Sequence, residues 1–186
     1  GQAPARQAAL GAGLPDSVEC LTINKMCGSG LKAVMLATQA IQTGDADIII
    51  AGGMENMTQA PYLLPKGREG HRLGHGQVLD SMIKDGLWDA YNDKHMGNCA
   101  ELCASEKNYS REDQDAFAKI SYTRAQSALE NGSFSDEIVS VPVPQRKGEP
   151  IIVDADEEPS RANFEKMEFL RPAFEKDGTI TAANAS

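Results

Sequence analysis

A cysteine at the start of a glycine-rich turn is the residue of this chain best suited to covalent chemistry. Cys27 opens the segment Cys27-Gly-Ser-Gly30, between a mixed run over 19–26 and an Ala/Leu/Met-rich run from Leu31 onward. The first run predicts a strand and the second predicts a helix. The free N–H groups and the dipole at a helix start favour an anion, and therefore a thiolate. Because the thiolate is the nucleophilic form, Cys27 is the candidate catalytic residue.

The elements around this cysteine are predicted to hold it rigidly and to leave room for a ligand. Gly28 and Gly30 have no Cβ, so a substrate carbonyl or a phosphate can approach the backbone closely. The helix over 31–41 is apolar on nearly every face, which predicts that it is buried within a layered structure. A buried helix would keep its first turn fixed.

Two other interpretations of this stretch are open. Cys27 would be a small buried apolar residue if it followed the common behaviour of free cysteines. The segment Gly28-Ser-Gly-Leu-Lys-Ala33 also fits the G-x-G-x-x-A pattern of dinucleotide-binding proteins. The preceding run carries Glu19 and Lys25, whereas a central parallel strand is almost wholly apolar, so the dinucleotide interpretation is disfavoured.

The composition describes a globular, acidic protein. Of the 186 residues, 41% are hydrophobic, and 18 Lys and Arg against 27 Asp and Glu give a net charge of −9. This charge argues against nucleic acid or an anionic membrane as a partner. The four unevenly spaced cysteines predict a reducing, intracellular and cytoplasmic location, with the mitochondrion left open. No signal peptide or membrane-spanning run is visible, and we expect the chain to be cut at both ends.

Patterns along the chain predict an α/β fold interrupted by an inserted α+β subdomain. The first helix, strand, helix and strand contain a β-α-β unit, and residues 58–177 form the insertion. The predicted elements are, in order, a helix over 4–13, a strand over 19–26, a helix over 28–43, a strand over 47–53, helical stretches around 78–83 and 96–103, a long helix from a capping box at Ser110–Asp113 to Asn131 with Phe117, Ile120 and Leu129 inward, and a hairpin over 138–153.

Histidine and cysteine spacings in the insertion do not predict a metal site. His71 and His75 lie in a cationic loop over 67–76 with no acidic or thiol partner close in sequence, which favours a solvated or subunit-contact loop. His95, Cys99 and Cys103 span eight helical residues, about 12 Å, which is too far for one zinc ion. We therefore expect the two cysteines to be packing residues.

The motif Asn24-Lys-Met-Cys27-Gly-Ser-Gly-Leu-Lys-Ala33 closely resembles the nucleophile segment of the thiolases. The resemblance continues, in order, through Ala51-Gly-Gly-Met-Glu-Asn-Met57, His95-Met-Gly97, Arg111-Glu-Asp-Gln-Asp-Ala-Phe-Ala118, Leu170-Arg-Pro-Ala-Phe174 and Asp177-Gly-Thr-Ile-Thr-Ala-Ala-Asn-Ala-Ser186. It implies a thiolase-like layered α/β fold in which 1–57 and 178–186 belong to the amino-terminal domain. Residues 58–177 would be the inserted loop domain that binds coenzyme A.

The resemblance also implies an activity and a set of site residues. Cys27 would be acylated by acetyl-CoA, and the acetyl group would pass to a second acetyl-CoA to give acetoacetyl-CoA and CoA, with thiolysis as the reverse reaction. His95 before Met-Gly resembles the biosynthetic branch, since degradative relatives commonly carry Pro there. The CoA thioesters would be substrates, and no separate cofactor is implied. The implied substrate-binding residues are Leu87, His95, Met96, Phe174, Ala182 and Ser186 around the pantetheine and acyl group, with Arg161 near the nucleotide.

Two residues that thiolases need are missing from this chain. The family's carboxy-terminal half supplies a Gly-His-Pro histidine that activates the nucleophile and a second cysteine, followed by glycine, that serves as acid and base. Here no histidine precedes a proline, and Cys27 alone precedes a glycine. We therefore expect the chain's own carboxy-terminal domain as a partner, and a homotetramer contacting through loop 67–76. The alternatives are a degradative 3-ketoacyl-CoA thiolase and, in a different class, a non-catalytic CoA-binding or scaffold module.

Overall fold

The structure, a computed structural model, describes residues 1–185. They divide into two units, the first over Gly1–Gly86 and the second beginning at Leu87. Within these residues no helix is long and apolar enough to cross a membrane.

The first unit contains two helices and a short strand pair. Helix α1 (Pro4–Gly11) begins with proline at its first position. Helix α2 (Ser29–Thr43) ends at Gly44, whose φ of 78° is the left-handed conformation that glycine adopts readily. Both helices were predicted. The elements are α1 (Pro4–Gly11), α2 (Ser29–Thr43), a 3₁₀ turn (Met57–Gln59), and the antiparallel strands β1 (Tyr62–Leu63) and β2 (Leu79–Asp80), followed by a π-helical turn (Ile83–Leu87).

The two strands predicted around α2 are not formed as paired strands. Residues 19–24 and 47–53 form no regular secondary structure, and among the described residues they join no sheet. Ile48 and Ile50 are 86% and 82% exposed, and Leu31 of α2 is exposed as well, so the predicted burial is wrong for this chain. The physical reason is that a strand needs hydrogen-bonding neighbours and an apolar face needs a covering layer, and residues 1–185 provide neither here.

The helical pattern predicted around 78–83 is formed only in its second half. Leu79 and Asp80 pair with Leu63 and Tyr62 of β1, and this pairing keeps their backbone extended. Helical structure begins at Ser81 and continues into the π-helical turn.

The second unit contains two consecutive long helices, α3 (Met96–Lys107) and α4 (Arg111–Glu130). Helix α4 begins at the predicted capping box, in which Ser110 and Asp113 bond each other's backbone N–H groups, and it ends at Asn131. The predicted hairpin is confirmed, with Val141 opposite Val153. The elements are β3 (Trp88–Asp89), β4 (Lys94–His95), α3 (Met96–Lys107), α4 (Arg111–Glu130), β5 (Val141–Val143), β6 (Ile151–Val153), α5 (Glu158–Arg161) and α6 (Phe164–Met167).

The buried face of α4 differs from the predicted one. Phe117 is 74% exposed and Ile120 is exposed, whereas Ala118 is buried. Likewise Cys99 on α3 is half-buried but Cys103 is exposed, so the packing role predicted for Cys103 is wrong. The helical period predicts one apolar face, but which face is covered depends on the neighbouring segments.

The core of the second unit joins α3, α4, α6 and the segment 179–181. Its apolar members are Ala104, Ala118, Met167 and Ile180, and two polar residues, Glu101 and Thr181, are buried with them. This core is small, so hydrogen bonds to the buried polar groups contribute much of the order in this unit.

Candidate active site

A tight turn immediately precedes Cys27. Met26 has φ 51°, in the left-handed region that is unfavourable for a residue with a side chain. Ser29 holds the turn from the helix side, because its Oγ accepts from the N–H of Lys25 at 2.9 Å and donates to the carbonyl of Met26 at 2.6 Å. The N–H of Met26 donates to Asn24 Oδ1 at 2.9 Å. The turn is thereby fixed from both sides of the cysteine.

Cys27 itself is exposed and lies directly before a helix start. Gly28 occupies the N-cap position of α2 and has no side chain that could cap the helix. The N–H of Ser29 donates to the carbonyl of Met26 at 3.1 Å, and the N–H groups of Gly30 and Leu31 donate to no acceptor among the described residues. The exposure contradicts the interpretation of Cys27 as a buried packing residue.

The glycines near Cys27 permit a close contact between two backbones. A Cβ added to Gly53 would lie 3.5 Å from the Cα of Gly30, and one added to Gly30 would lie 3.8 Å from the Gly53 nitrogen. A Cβ at either position would therefore make ordinary van der Waals contact with the other segment. The first turn of α2 is thus held against Gly52-Gly53, while Gly28 remains at the helix start.

In the second unit, His95 is oriented by its own helix. Strand pairing places it opposite Trp88, the residue after Leu87. The Nδ1 atom of His95 accepts a hydrogen bond from the N–H of Gly97 at 3.0 Å and caps α3. Because Nδ1 is the acceptor, the proton of the neutral ring resides on Nε2, which is then available to donate to a ligand oxygen.

Phe174 stacks on His95. The ring centroids are 5.0 Å apart and the planes meet at 28°. A Cβ at Gly97 would overlap the Phe174 ring, so glycine is required for this approach. Of the residues implied by the resemblance, His95 and Phe174 are thus in contact, while Met96 follows His95 in the chain and Leu87 precedes its strand partner.

The turn that links Leu87 to His95 is closed by side chains. Asp89 accepts from the side-chain amide of Asn92 at 2.6 Å and from the N–H of Tyr91 at 2.9 Å. These two hydrogen bonds hold the pKa of Asp89 below its usual range, and the one from the Asn92 side chain has the larger effect. Trp88 Nε1 donates to Asp93 at 3.0 Å. The turn therefore keeps β3 and β4 in register.

Arg161 and Ala182 line a separate shallow cleft, together with Tyr122 and Lys166. The Arg161 guanidinium already pairs with Glu157 at 2.7 Å and with Glu158 at 2.9 Å, and all three side chains are exposed. A phosphate at this position would have to exchange with these carboxylates. Ser186 lies outside the described residues.

Several residues that organise this region were not identified from the sequence. Arg111 pairs with Asp115 at 2.7 Å and donates to the carbonyls of Leu170 and Met167, at 3.1 and 2.6 Å. Asn184 Nδ2 donates to Asp115 at 2.8 Å. The i,i+4 spacing of Arg111 and Asp115 indicates an ion pair, but no local pattern indicates its distant partners.

Comparisons with known proteins agree with the resemblance. The family model described as "Thiolase, N-terminal domain" matches residues 1–186. Acetyl-CoA acetyltransferases of Pseudomonas aeruginosa and Cupriavidus necator are 56% and 55% identical, over 100% of this chain and 48% of theirs. The crystal structure of a thiolase from Ascaris suum in complex with coenzyme A superposes with a TM-score of 0.89 at 41% identity, covering 99% of this chain and 46% of that one.

The chain belongs to the thiolase family. The structural match confirms the predicted thiolase-like α/β fold class, although the strands expected around α2 lack partners. The chain spans about half the length of the curated relatives it matches.

Proposed function

We propose that this chain is the amino-terminal part of an acetyl-CoA C-acetyltransferase, which condenses two acetyl-CoA molecules to acetoacetyl-CoA and CoA and catalyses the reverse thiolysis. The observation that carries the proposal is the exposed Cys27 at an uncapped helix start, fixed by the Ser29 turn. The similarity to acetyl-CoA acetyltransferases over the whole chain supports it.

In the proposed reaction, the Cys27 thiolate attacks the thioester carbonyl and expels CoA, leaving an acetyl-cysteine. A second acetyl-CoA then loses an α-proton to a base, and its carbanion attacks the acetyl-cysteine carbonyl and releases Cys27 as thiolate. CoA leaves as its thiolate and gains a proton equivalent to the α-proton that the base removed, and Cys27 returns as thiolate, so the reaction balances without a change of oxidation state. The base and the residue that activates Cys27 would come from a carboxy-terminal half.

We assign the substrate contacts to the second unit. Leu87, Met96 and Phe174 would surround the acyl group and pantetheine, with His95 Nε2 donating to a ligand oxygen. Ala182, in the cleft that it shares with Arg161, and Ser186 are assigned to the pantetheine by the resemblance, and Arg161 would approach the nucleotide after leaving Glu157 and Glu158. Within this proposal, residues 58–177 are the inserted CoA-binding domain, and the family's tetramer would form through 67–76.

The degradative enzyme is the alternative to this reaction. One relative, from Staphylococcus aureus, is 54% identical and carries the description "Probable acetyl-CoA acyltransferase", which names no chain length. By the family resemblance, His95 before Met-Gly favours the short-chain reaction, since degradative relatives commonly carry Pro there. Comparing turnover of acetoacetyl-CoA with that of a long-chain 3-ketoacyl-CoA separates the two.

Cys27 is expected to be alkylated at least about tenfold faster than the other cysteines in the intact enzyme, because the proposed reaction requires it to act as the thiolate nucleophile. Cys20 and Cys103 are also exposed and serve as internal controls for accessibility. Mass spectrometry after limited iodoacetamide treatment gives the relative rates. Equal or slower labelling of Cys27 would remove its assignment as the nucleophile.

Met96→Trp is expected to weaken binding of acetoacetyl-CoA by roughly tenfold or more, because the indole would fill space beside His95. A tenfold rise in the dissociation constant corresponds to about 1.4 kcal/mol of binding free energy. Adenosine 3′,5′-bisphosphate should bind as before. Leu102→Trp, at an exposed position on the same helix, is the matched control. Calorimetry with both ligands decides it. Unchanged affinity for acetoacetyl-CoA in Met96→Trp would show that the pocket is misplaced.

A further inference from the structure

Glu101 is a buried carboxylate for which the proposed reaction provides no use. It is 6% exposed on the inner face of α3. Its Oε1 accepts from the N–H groups of Thr179 and Ile180 at 3.0 and 2.8 Å. Its Oε2 accepts from the N–H and the hydroxyl of Thr179 at 2.8 and 3.1 Å. Within residues 1–185 it forms no ion pair, so these neutral donors satisfy the whole carboxylate.

The segment that Glu101 holds leads directly to Phe174. The carbonyl of Ile180 accepts a hydrogen bond from the N–H of Ala173 at 2.8 Å, and Phe174 is the next residue. The Phe174 ring then lies on Gly97 and stacks on His95. Gly97 and Glu101 share one buried face of α3, a single turn apart. Helix α3 therefore carries both Gly97, on which the Phe174 ring lies, and Glu101, whose carboxylate binds the segment that is hydrogen-bonded to Ala173.

Close packing shows that this contact is specific. A Cβ added to Gly178 would overlap the Glu101 carboxylate, so the backbone reaches the acid only because position 178 is glycine. The Thr179 hydroxyl is also fixed from its other side, where it accepts from Gln114 Nε2 at 2.9 Å. Thr179 therefore has little freedom to rotate away from Glu101.

We propose that Glu101 is a positioning residue for the acyl and pantetheine site, acting through the backbone of Thr179 and Ile180 to hold Phe174 against His95. This inference rests on the proposed function, since it assumes that the His95 and Phe174 pair receives a CoA thioester. A carboxylate is needed here because both of its oxygens accept hydrogen bonds. A glutamine side chain would turn its NH₂ group towards some of the same donors, which would then lose their acceptor.

Glu101→Gln in the full chain tests the proposal. The expected result is that the dissociation constant for acetoacetyl-CoA rises roughly tenfold or more, as charge-assisted hydrogen bonds are lost and Phe174 shifts. The dissociation constant for adenosine 3′,5′-bisphosphate should stay within about twofold, because the nucleotide contacts lie elsewhere. Glu106→Gln is the matched control, with the same charge change at an exposed position of the same helix.

The outcomes separate the proposal from its alternatives. If Glu101→Gln raises the dissociation constants of both ligands by the same factor, Glu101 merely stabilises the unit and the positioning role is overturned. If Glu101→Gln and Glu106→Gln bind acetoacetyl-CoA with equal affinity, the positioning role is overturned as well. If the unsubstituted chain binds neither ligand, the proposed function fails, and this inference with it. Should Glu101→Gln not fold, Glu101→Asp keeps the charge with a shorter reach, and the same selective loss for acetoacetyl-CoA is expected there; no such loss would overturn the proposal.

Discussion

The 186-residue chain alone is expected not to turn over acetoacetyl-CoA, and activity is expected when a separately made carboxy-terminal half is added. Cysteine catalysis needs an activating base, and the carbanion step needs a proton acceptor at the substrate's α-carbon. The chain has three histidines, and the resemblance identifies none of them as that base. His95 is engaged in capping α3 and stacking on Phe174.

The exposed apolar residues of the first unit support the same expectation. Leu21, Ile48 and Ile50 are 73%, 86% and 82% exposed, although their composition is that of a protein interior. Apolar surface of this kind is typical of an interface or of an aggregation site. Covering it with the other half would exclude water from both halves and supply the missing catalytic groups together.

The measurement is the rate of acetoacetyl-CoA loss in the presence of CoA, for the chain, for the carboxy-terminal half and for their mixture. The Cys27→Ser chain mixed with the same half is the control, and its rate should be lower by a factor on the order of 10³ or more, since the weaker serine nucleophile replaces the thiolate. Robust turnover by the unmixed chain would show that a base within residues 1–186 had been overlooked.

Arg111→Ala is expected to lower the free energy of unfolding of the second unit by about 2–4 kcal/mol. The guanidinium is largely buried, with 19% of its side chain exposed, and it joins Asp115 to the carbonyls of Leu170 and Met167. Removing it leaves the Asp115 carboxylate and two carbonyl groups without their charged donor. Because Leu170 and Met167 precede Phe174, the site should loosen as well.

The chain offers both a probe and a control for this measurement. Its single tryptophan, Trp88, lies in the second unit, so fluorescence during urea unfolding reports on that unit. Arg124→Ala removes the same side chain from an exposed position of the same helix and should change the free energy by no more than about 0.5 kcal/mol. Equal unfolding midpoints for the two variants would mean that the Arg111 network contributes little stability.

Apart from the hairpin of β5 and β6, in which Val141 pairs with Val153, the features that sequence reasoning predicted correctly depend on contacts within a few residues. The Ser110 and Asp113 capping box, the glycine end of α2 at Gly44 and the helix start after Cys27 are of this kind. Each requires particular residue types at fixed short spacings, because the groups that interact at a helix end are always the same few positions apart in the sequence. The family motifs add the candidate site residues, but the chain's local patterns alone do not connect Leu87 to Phe174.

The tertiary structure decided which predicted faces are covered and which distant groups meet. Glu101 meets Thr179 across 78 residues of sequence, and Arg111 meets Leu170 across 59. Both contacts depend on how α3 and α4 pack against the chain that follows them, and a side chain's type does not specify its distant partner. The same reason explains the segments 19–26 and 47–53, whose residues suit a buried strand. Strand formation requires a neighbouring strand, and the pattern of one segment carries no information on whether that neighbour is present.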